Sequence, residues 1–377
     1  MAEVFDSIVV GIGGIGSGIV HSLCRRGRRV LGLEAHGPAH ALGSSHGQTR
    51  MIRRAYFEHP DYIPLLDASY DQWRQFEKDC DKTLFLRHGL YLAGPPEGTI
   101  VKGVLEAKRV HDLSIDQYDP KEARRRWPQF KPDADMTVLF EEDAGYLLIE
   151  ECILAFVERS RALGATLLFE TPMTNWEALS SGGYRVTCGD REFESESVVF
   201  SVGPWASRWL DTDTFDLTVR RKPVFWFHTG QPQLQAAYPC PAFGFETSTG
   251  FMYGIPTPGH DLMKAGNHDG GETVDDPSSV DRNIRPSERD EATSFLRSYT
   301  TASDAALRDQ SVCMYTMTPD EHFILDQHPD HNGVYVACGF SGHGYKFASL
   351  LGEVIADWTS EGQTSHPVGF LALNRSR

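Results

Sequence analysis

An α/β fold, with a second unit interleaved into the first, follows from three features of the chain. The sequence opens on a strand, a glycine-rich turn, a helix and another strand within residues 5–34. It closes on a further strand that meets a glycine-rich turn before a helix, across residues 334–358. Between them lie strand-rich segments with no low-complexity linker and no internal repeat. At roughly 100–200 residues per domain, 377 residues predict two or three domains. The missing linker predicts that they share segments rather than follow one another. With 40% hydrophobic and 23% charged residues, the composition is that of a globular protein with a core. A mainly disordered chain is excluded.

The elements can be justified in order. Residues 7–10 are a short apolar run that meets Gly11-Ile12-Gly13-Gly14-Ile15-Gly16. Ile15, Ile19, Val20 and Leu23 then recur at helical spacing. Gly27 stands where a helix end favours glycine. Residues 29–34 form the second strand, ending in Glu34. Residues 36–60 are rich in Gly, Ser, His and Arg with little periodicity, which predicts a long functional loop. A helix is expected over 62–79, with Leu65, Leu66, Tyr70 and Trp73 on one side. Between 85 and 145 the pattern predicts short strands, at 85–92 and 137–141, around a charged helical segment near 121–126. Residues 149–163 read as an amphipathic helix, and 165–169 and 194–202 as strands. Several strand-like runs separated by Pro and Gly occupy 219–265. The polar stretch 270–290 reads as a surface excursion. A strand at 334–338 and a helix at 345–358 complete the pattern.

Charge and cysteine usage narrow the function classes. Acidic residues number 52 and basic residues 36, a net charge of −16. Nucleic acid is excluded as the main partner, because phosphate binding needs a cationic footprint. The seven cysteines are scattered with no C-x-x-C pair, which suits a reducing compartment and gives no support to a metal ribbon. No signal-peptide pattern and no apolar run of ~18 residues is present. A cytoplasmic protein without a membrane partner is the expectation, and no metal site is expected.

Gly11-x-Gly13-x-x-Gly16 opens a helix directly after a strand, and Glu34 ends the next strand about 20 residues on. The first glycine permits the tight turn, the second lets a pyrophosphate approach backbone, and the third lets helix pack on strand. The helix N-terminus faces the phosphates. Glu34 would accept hydrogen bonds from ribose hydroxyls and repel a 2′-phosphate. Gly11, Gly13, Gly14, Ile15, Gly16 and Glu34 are therefore candidate contacts of a dinucleotide. Whether it is FAD or NAD stays open at this point.

The segment Gly43-Ser44-Ser45-His46-Gly47-Gln48-Thr49-Arg50-Met51-Ile52-Arg53-Arg54 places three arginines within five positions of an acidic chain. They suit a phosphate, a substrate carboxylate or the face of a flavin, or form a solvated basic turn. Arginine favours carboxylate because its planar fork donates two parallel hydrogen bonds. Near the C-terminus, Cys313-Met314-Tyr315-Thr316 precedes Gly339-Phe340-Ser341-Gly342-His343-Gly344-Tyr345-Lys346. A helix N-terminus there would set positive potential against an anionic reduced flavin. Lys346 would fall in the first helical turn, which disfavours a cation, so an anionic contact outside the helix is expected. Cys313 taken alone reads as a small core residue.

Together these motifs resemble the monomeric sarcosine oxidase family of amine oxidases, which includes N-methyltryptophan and pipecolate oxidases, over nearly the whole chain. The resemblance implies a glycine-oxidase-like fold: a Rossmann-like FAD-binding domain with an interleaved antiparallel-sheet substrate domain. The expected division is 1–85, 146–218 and 310–377 for FAD, and 86–145 and 219–309 for substrate. It implies FAD attached covalently through Cys313, with Ser44, His46, Thr49, Arg50, Gly342, Gly344 and Lys346 among the cofactor contacts. Arg53 and Lys346 match the pair that binds the substrate carboxylate. Lys264 matches the lysine that promotes reaction with O₂, and Tyr253 and His268 match residues lining the amine pocket. The implied activity is oxidation of a secondary amino acid to an imine, with O₂ reduced to H₂O₂, by a monomer. An L-pipecolate oxidase, or a dehydrogenase using another acceptor, are the alternatives. Gly244 either leaves more room than sarcosine needs or marks a strand bulge, and Ser45 and Met317 depart from the family's common variants.

Overall fold

The computed structural model describes residues 2–375. The opening unit forms as expected. The strand Glu3–Val10 pairs in parallel with Val30–Leu33, in the register Ser7↔Val30 to Val10↔Leu33. Val30–Leu33 is buried at every position, as a strand covered on both faces requires. Five parallel strands lie in the order Val334–Cys338, Arg191–Phe200, Glu3–Val10, Val30–Leu33 and Thr166–Leu168. Antiparallel strands Asn175–Ala178, Tyr184–Cys188 and Ile324–Gln327 extend this sheet.

Helix Gly14–Arg25 is buried along nearly its whole length because helix Ala348–Glu361 packs across it. The crossing is close because Gly18 and Gly352 face each other. A Cβ on Gly18 would strike the Ala348 carbonyl, and one on Gly352 the Gly18 carbonyl.

The second sheet has nine strands, antiparallel except where Ala242–Thr247 pairs in parallel with Leu90–Gly94. Its centre runs Thr218–His228, Leu262–Asn267, Gly250–Thr257, Ala242–Thr247, and Ala306–Met317 pairs along the far side of Thr218–His228. The period of two along each strand sorts the residues cleanly. One face buries Phe225, Phe243, Phe245, Met252 and Met263 against Phe295 and Leu296 of helix Pro286–Tyr299. The pairs Trp226↔Lys264, Lys222↔Cys313 and Gly244↔Tyr253 put those six residues on the opposite face. A three-stranded sheet, Thr49–Ile52, Gly145–Leu148 and Phe85–Leu86, joins the two halves.

Several expectations need correction. Residues 85–92 are two strands, because Gly89 turns the chain at φ +81° and donates to Ala144 O. Residues 85–145 also contain a helix, Thr99–His111, whose Ile100, Val101, Val104 and Ala107 are buried. The loop 36–60 contains the strand Thr49–Ile52. The polar stretch 270–290 runs into helix Pro286–Tyr299, where Glu288 Oε2 accepts from Arg285 N–H at 2.8 Å. Lys346 does not lie in the first turn of the final helix. It lies in a single 3₁₀ turn, Tyr345–Phe347, ahead of Ala348–Glu361. The Lys346 carbonyl there accepts from Trp73 Nε1 and Ser69 Oγ, so the expected conflict with the helix dipole does not arise. Among the described residues no helix is long and apolar enough to cross a membrane.

Candidate active site

The glycine turn and the loops beside it enclose a cavity of about 430 Å³, within the range of cofactor sites. Gly11, Gly13, Glu34, Ser44, Arg50 and Gly342 line it, together with Gly14, Ile15 and Gly344. Gly11 adopts φ +89°, which other residues rarely reach. Gly16 is off the cavity surface, because a Cβ there would overlap the Gly11 carbonyl. Its role is the close helix-to-strand approach that the fingerprint predicts. Glu34 is aimed by backbone: Oε2 accepts from Ile12 N–H at 2.9 Å and Oε1 from His36 N–H at 3.1 Å. His40 Nε2 lies 3.4 Å from Oε1, a contact the sequence reading missed.

The histidine–arginine loop turns through two left-handed residues and is held there by one carboxylate. Gly47 and Gln48 take φ +93° and +68°. Glu150, at the start of helix Ile149–Ala162, accepts from Gly47 N–H at 2.7 Å and Gln48 N–H at 2.9 Å. Arg50 turns inward and donates to Ser44 O and Thr49 O, both at 2.9 Å. Its Nη2 is 3.6 Å from Cys313 Sγ, and the thiol itself approaches Ser44 O at 3.3 Å. Cys313 is 1% exposed.

His46 is buried and held neutral. Burial first, then the Arg50 charge, brings its pKa down to about 4. Thr316 Oγ1 is buried on the cavity wall without a hydrogen-bond partner in the protein, and His46 Nε2 and Thr49 Oγ1, on the loop that carries the lining residues Ser44, Ser45 and Arg50, are likewise unpartnered. Such atoms are costly unless satisfied. A planar group with nitrogen and oxygen along its edges, such as an isoalloxazine, would offer Thr316 Oγ1 a partner. The phosphate-binding turn, the aimed Glu34 and these unpaired atoms therefore fit FAD.

Beyond Arg50 and Tyr315 lies a second group of charges that does not line the cavity. Arg53 and Lys346 are each 4% exposed. Arg53 donates to Ala55 O and to Glu58 Oε1, both at 2.6 Å. Its guanidinium lies over Tyr56 at 4.7 Å and Phe57 at 4.4 Å, while Lys346 Nζ stands 5.0 Å from the Tyr56 ring. Lys346 Nζ donates to His343 O at 2.6 Å. Burial, then Arg53, lowers the Lys346 pKa to about 7. Burial alone would raise the Glu58 pKa, but Arg53, His343 and Lys346 bring it to about 2. His343 donates from Nε2 to Glu321 O at 3.0 Å and accepts from Tyr56 OH at Nδ1. The two predicted cations thus share the Tyr56 ring, and Arg53 is paired with Glu58, a carboxylate that sequence reasoning missed.

Lys264 is 1% exposed, not an outward strand lysine. Its Nζ donates to Gly47 O at 3.0 Å and also to Thr49 O. Burial, then Arg50, lowers its pKa well below that of a free lysine. Trp226, its cross-strand neighbour, is buried with Nε1 unpartnered. Tyr253 lies across Gly266, where a Cβ would meet its hydroxyl at 2.9 Å. Burial pushes the Tyr253 pKa up to about 12. His268 is paired with Tyr315 OH at 3.4 Å through Nδ1, and burial lowers its pKa.

Lys222 reaches past the Tyr315 ring at 5.2 Å and donates to the carbonyls of His268 and Asp269 at 2.9 and 2.7 Å. It fixes the His268 loop, and it stands opposite Cys313 in the β ladder, a placement that no sequence motif announces. The extra room expected at Gly244 is absent. The Phe251 ring fills it, and the strand there pairs without a bulge. Ser45 stands beside Gly14, where a Cβ would overlap its hydroxyl. Nothing in the structure explains Met317.

Comparison with known proteins agrees with this geometry. Residues 6–358 match the family model described as FAD dependent oxidoreductase. The chain is 36% identical over its whole length to a monomeric sarcosine oxidase of Streptomyces avermitilis, covering 98% of that protein. It is 33% identical to one of Bacillus sp., covering 97% of it. It is 31% identical to an N-methyl-L-tryptophan oxidase of Citrobacter koseri, with 98% of this chain and 99% of that one aligned. In fold it superposes on glycine oxidase from Geobacillus kaustophilus with a TM-score of 0.85, at 18% identity over 100% of both chains. L-proline dehydrogenase from P. horikoshii gives 0.86, at 20% identity over 99% of this chain and 98% of that one. The chain belongs to the FAD-dependent oxidoreductase family, among the relatives of monomeric sarcosine oxidase, and is a flavin-dependent amine oxidoreductase.

Proposed function

We propose that this enzyme oxidises small N-methyl amino acids of the sarcosine type, passing electrons to O₂ to form H₂O₂. The observation that carries the reading is the buried pair Arg53 and Lys346 around Tyr56, with His268 nearby. Glu58 offsets one of the two positive charges. That leaves one charge for one substrate carboxylate, recognised by charge-assisted hydrogen bonds in a water-poor site. His268, neutral through burial, accommodates an uncharged amine, the form that can lose a hydride. When bound, FAD supplies the electron-accepting chemistry that side chains lack. The chain's residues orient and stabilise. Arg53 and Lys346 fix the carboxylate, Tyr253 and His268 wall the amine, and Lys264 holds a proton where reduced oxygen acquires charge.

Cys313 is the residue through which FAD would be attached. Its buried thiol lies 3.6 Å from Arg50 Nη2 and 3.3 Å from Ser44 O, and both of those residues line the cavity. Gly11, Gly13, Gly14, Ile15, Glu34, Ser44, His46, Thr49, Gly342 and Gly344 complete the proposed contacts, and Gly16 acts through packing. In this reading the two sheets correspond to the FAD and substrate domains. The proposed boundary near 310 falls inside the strand Ala306–Met317. A cytoplasmic monomer is part of the same reading, and none of the seven cysteines is in a disulfide.

The test is a peroxide assay over secondary amino acids that includes sarcosine and its neutral methylamide. Sarcosine should yield one H₂O₂ per imine, and the methylamide almost none. Equal turnover of the two would remove the carboxylate from the account. Turnover without peroxide would make the enzyme a dehydrogenase.

A further inference from the structure

Gly244 does not have the positive φ that would demand glycine. Its lack of a side chain needs another cause, and the neighbouring strand supplies one. Phe251 and Tyr253 lie two apart on Gly250–Thr257 and so share a face. A Cβ on Gly244 would overlap the edge of the Phe251 ring and come within 3.1 Å of Leu92 Cδ2. The Phe251 ring is therefore seated in the recess that the glycine opens.

The seat is well fixed. Phe251 N–H donates to Asp269 Oδ2 at 2.8 Å, and its carbonyl accepts from His268 N–H at 2.8 Å. Its ring meets His268 edge-on at 6.0 Å and Phe57 edge-on at 5.4 Å. Phe57 in turn lies under the Arg53 guanidinium at 4.4 Å. The Phe57 backbone is pressed against Gly103 of helix Thr99–His111, where a Cβ would overlap it. From Arg53 through Phe57 and Phe251 to His268, the rings form a continuous wall on the proposed substrate side.

We propose that Phe251, seated on Gly244, is the size filter of the amine site. It limits the substrate to short N-methyl amino acids and excludes bulky or cyclic ones. This rests on the reading that Arg53 and Lys346 hold the substrate carboxylate. Removing the ring opens a recess down to Gly244 and Leu92. Adding a Cβ at 244 drives the ring out of its seat towards His268 and narrows the site.

The experiment compares wild-type holoenzyme with Phe251→Ala, Phe251→Leu, Gly244→Ala and the double variant Gly244→Ala/Phe251→Ala. It measures kcat/KM for sarcosine, N-methyl-L-phenylalanine and L-pipecolate. It also measures Kd for acetate and phenylacetate from the perturbed flavin absorbance. Phe251→Ala should raise the ratio of large to small substrate at least tenfold, the scale set by a few methylenes in an apolar pocket. The phenylacetate-to-acetate affinity ratio should shift the same way. Gly244→Ala should lower kcat/KM for all three substrates, the two larger ones more, and the double variant should recover most of that loss. Phe251→Leu, which keeps an apolar core residue, should shift the ratio part of the way even if the alanine variant fails to fold. Unchanged ratios in the variants, while the wild type still oxidises sarcosine, would overturn the filter alone. If the wild type neither oxidises any of the three nor binds acetate, the underlying reading fails instead.

Discussion

At the scale of single residues, protonation states decide what the site can hold. Lys346, with its pKa near 7, is charged below that value and neutral above it. A carboxylate binds the charged form, so its affinity should fall as pH rises past about 7. The fall should approach tenfold per unit, because one pKa unit is one decade of equilibrium. Acetate titrated into the holoenzyme at a series of pH values checks this, and Lys346→Met should bind weakly and lose the pH dependence. Lys264→Met should slow reoxidation by O₂ by about 10²-fold, the scale of losing one electrostatic stabiliser. Anaerobic reduction by sarcosine should change far less, and stopped-flow absorbance separates the two steps.

At the scale of elements, short segments are held by partners far away in the chain. Glu150 satisfies the amides of Gly47 and Gln48 from the start of its helix. Glu150→Ala should cost about 2 kcal/mol, the worth of hydrogen bonds to a charged group. It should also slow FAD incorporation, since the loop carrying His46 and Arg50 loses its anchor. Thermal unfolding and the rate at which apoprotein becomes yellow measure the two effects. The motifs themselves were legible because each is local. Gly11 to Gly16, Glu34, residues 43–54 and residues 339–346 announce their chemistry through residue type and spacing. Glu58, Glu150, Lys222 and Phe251 were not legible. Each acts through a contact made by the fold, and a lone carboxylate or aromatic ring carries no motif. Helix Thr99–His111 did have a signal, with Ile100, Val101, Val104 and Ala107 on one face. Its charged outer face and flanking strands obscured it.

At the scale of the whole molecule, one face of the nine-stranded sheet is the organising surface. Its other face is an ordinary core against helix Pro286–Tyr299. The β ladder therefore sets Lys264, Tyr253, Lys222 and Cys313 on one face, where Lys264 and Cys313 meet the loop 43–50. The acidic net charge of −16 surrounds a site whose inner charges are mainly cationic. This arrangement predicts that Cys313→Ser still folds, because the serine is nearly isosteric and the ladder does not depend on sulfur. Acid precipitation should then release the yellow colour that stays with the wild-type pellet. The measurement that bears most directly on the central claim joins both halves of the reaction in one cuvette. Sarcosine added without oxygen should bleach the flavin absorbance, and admitting O₂ should restore it with one equivalent of H₂O₂. An unbleached spectrum, or a bleached one that O₂ does not restore, would contradict the account.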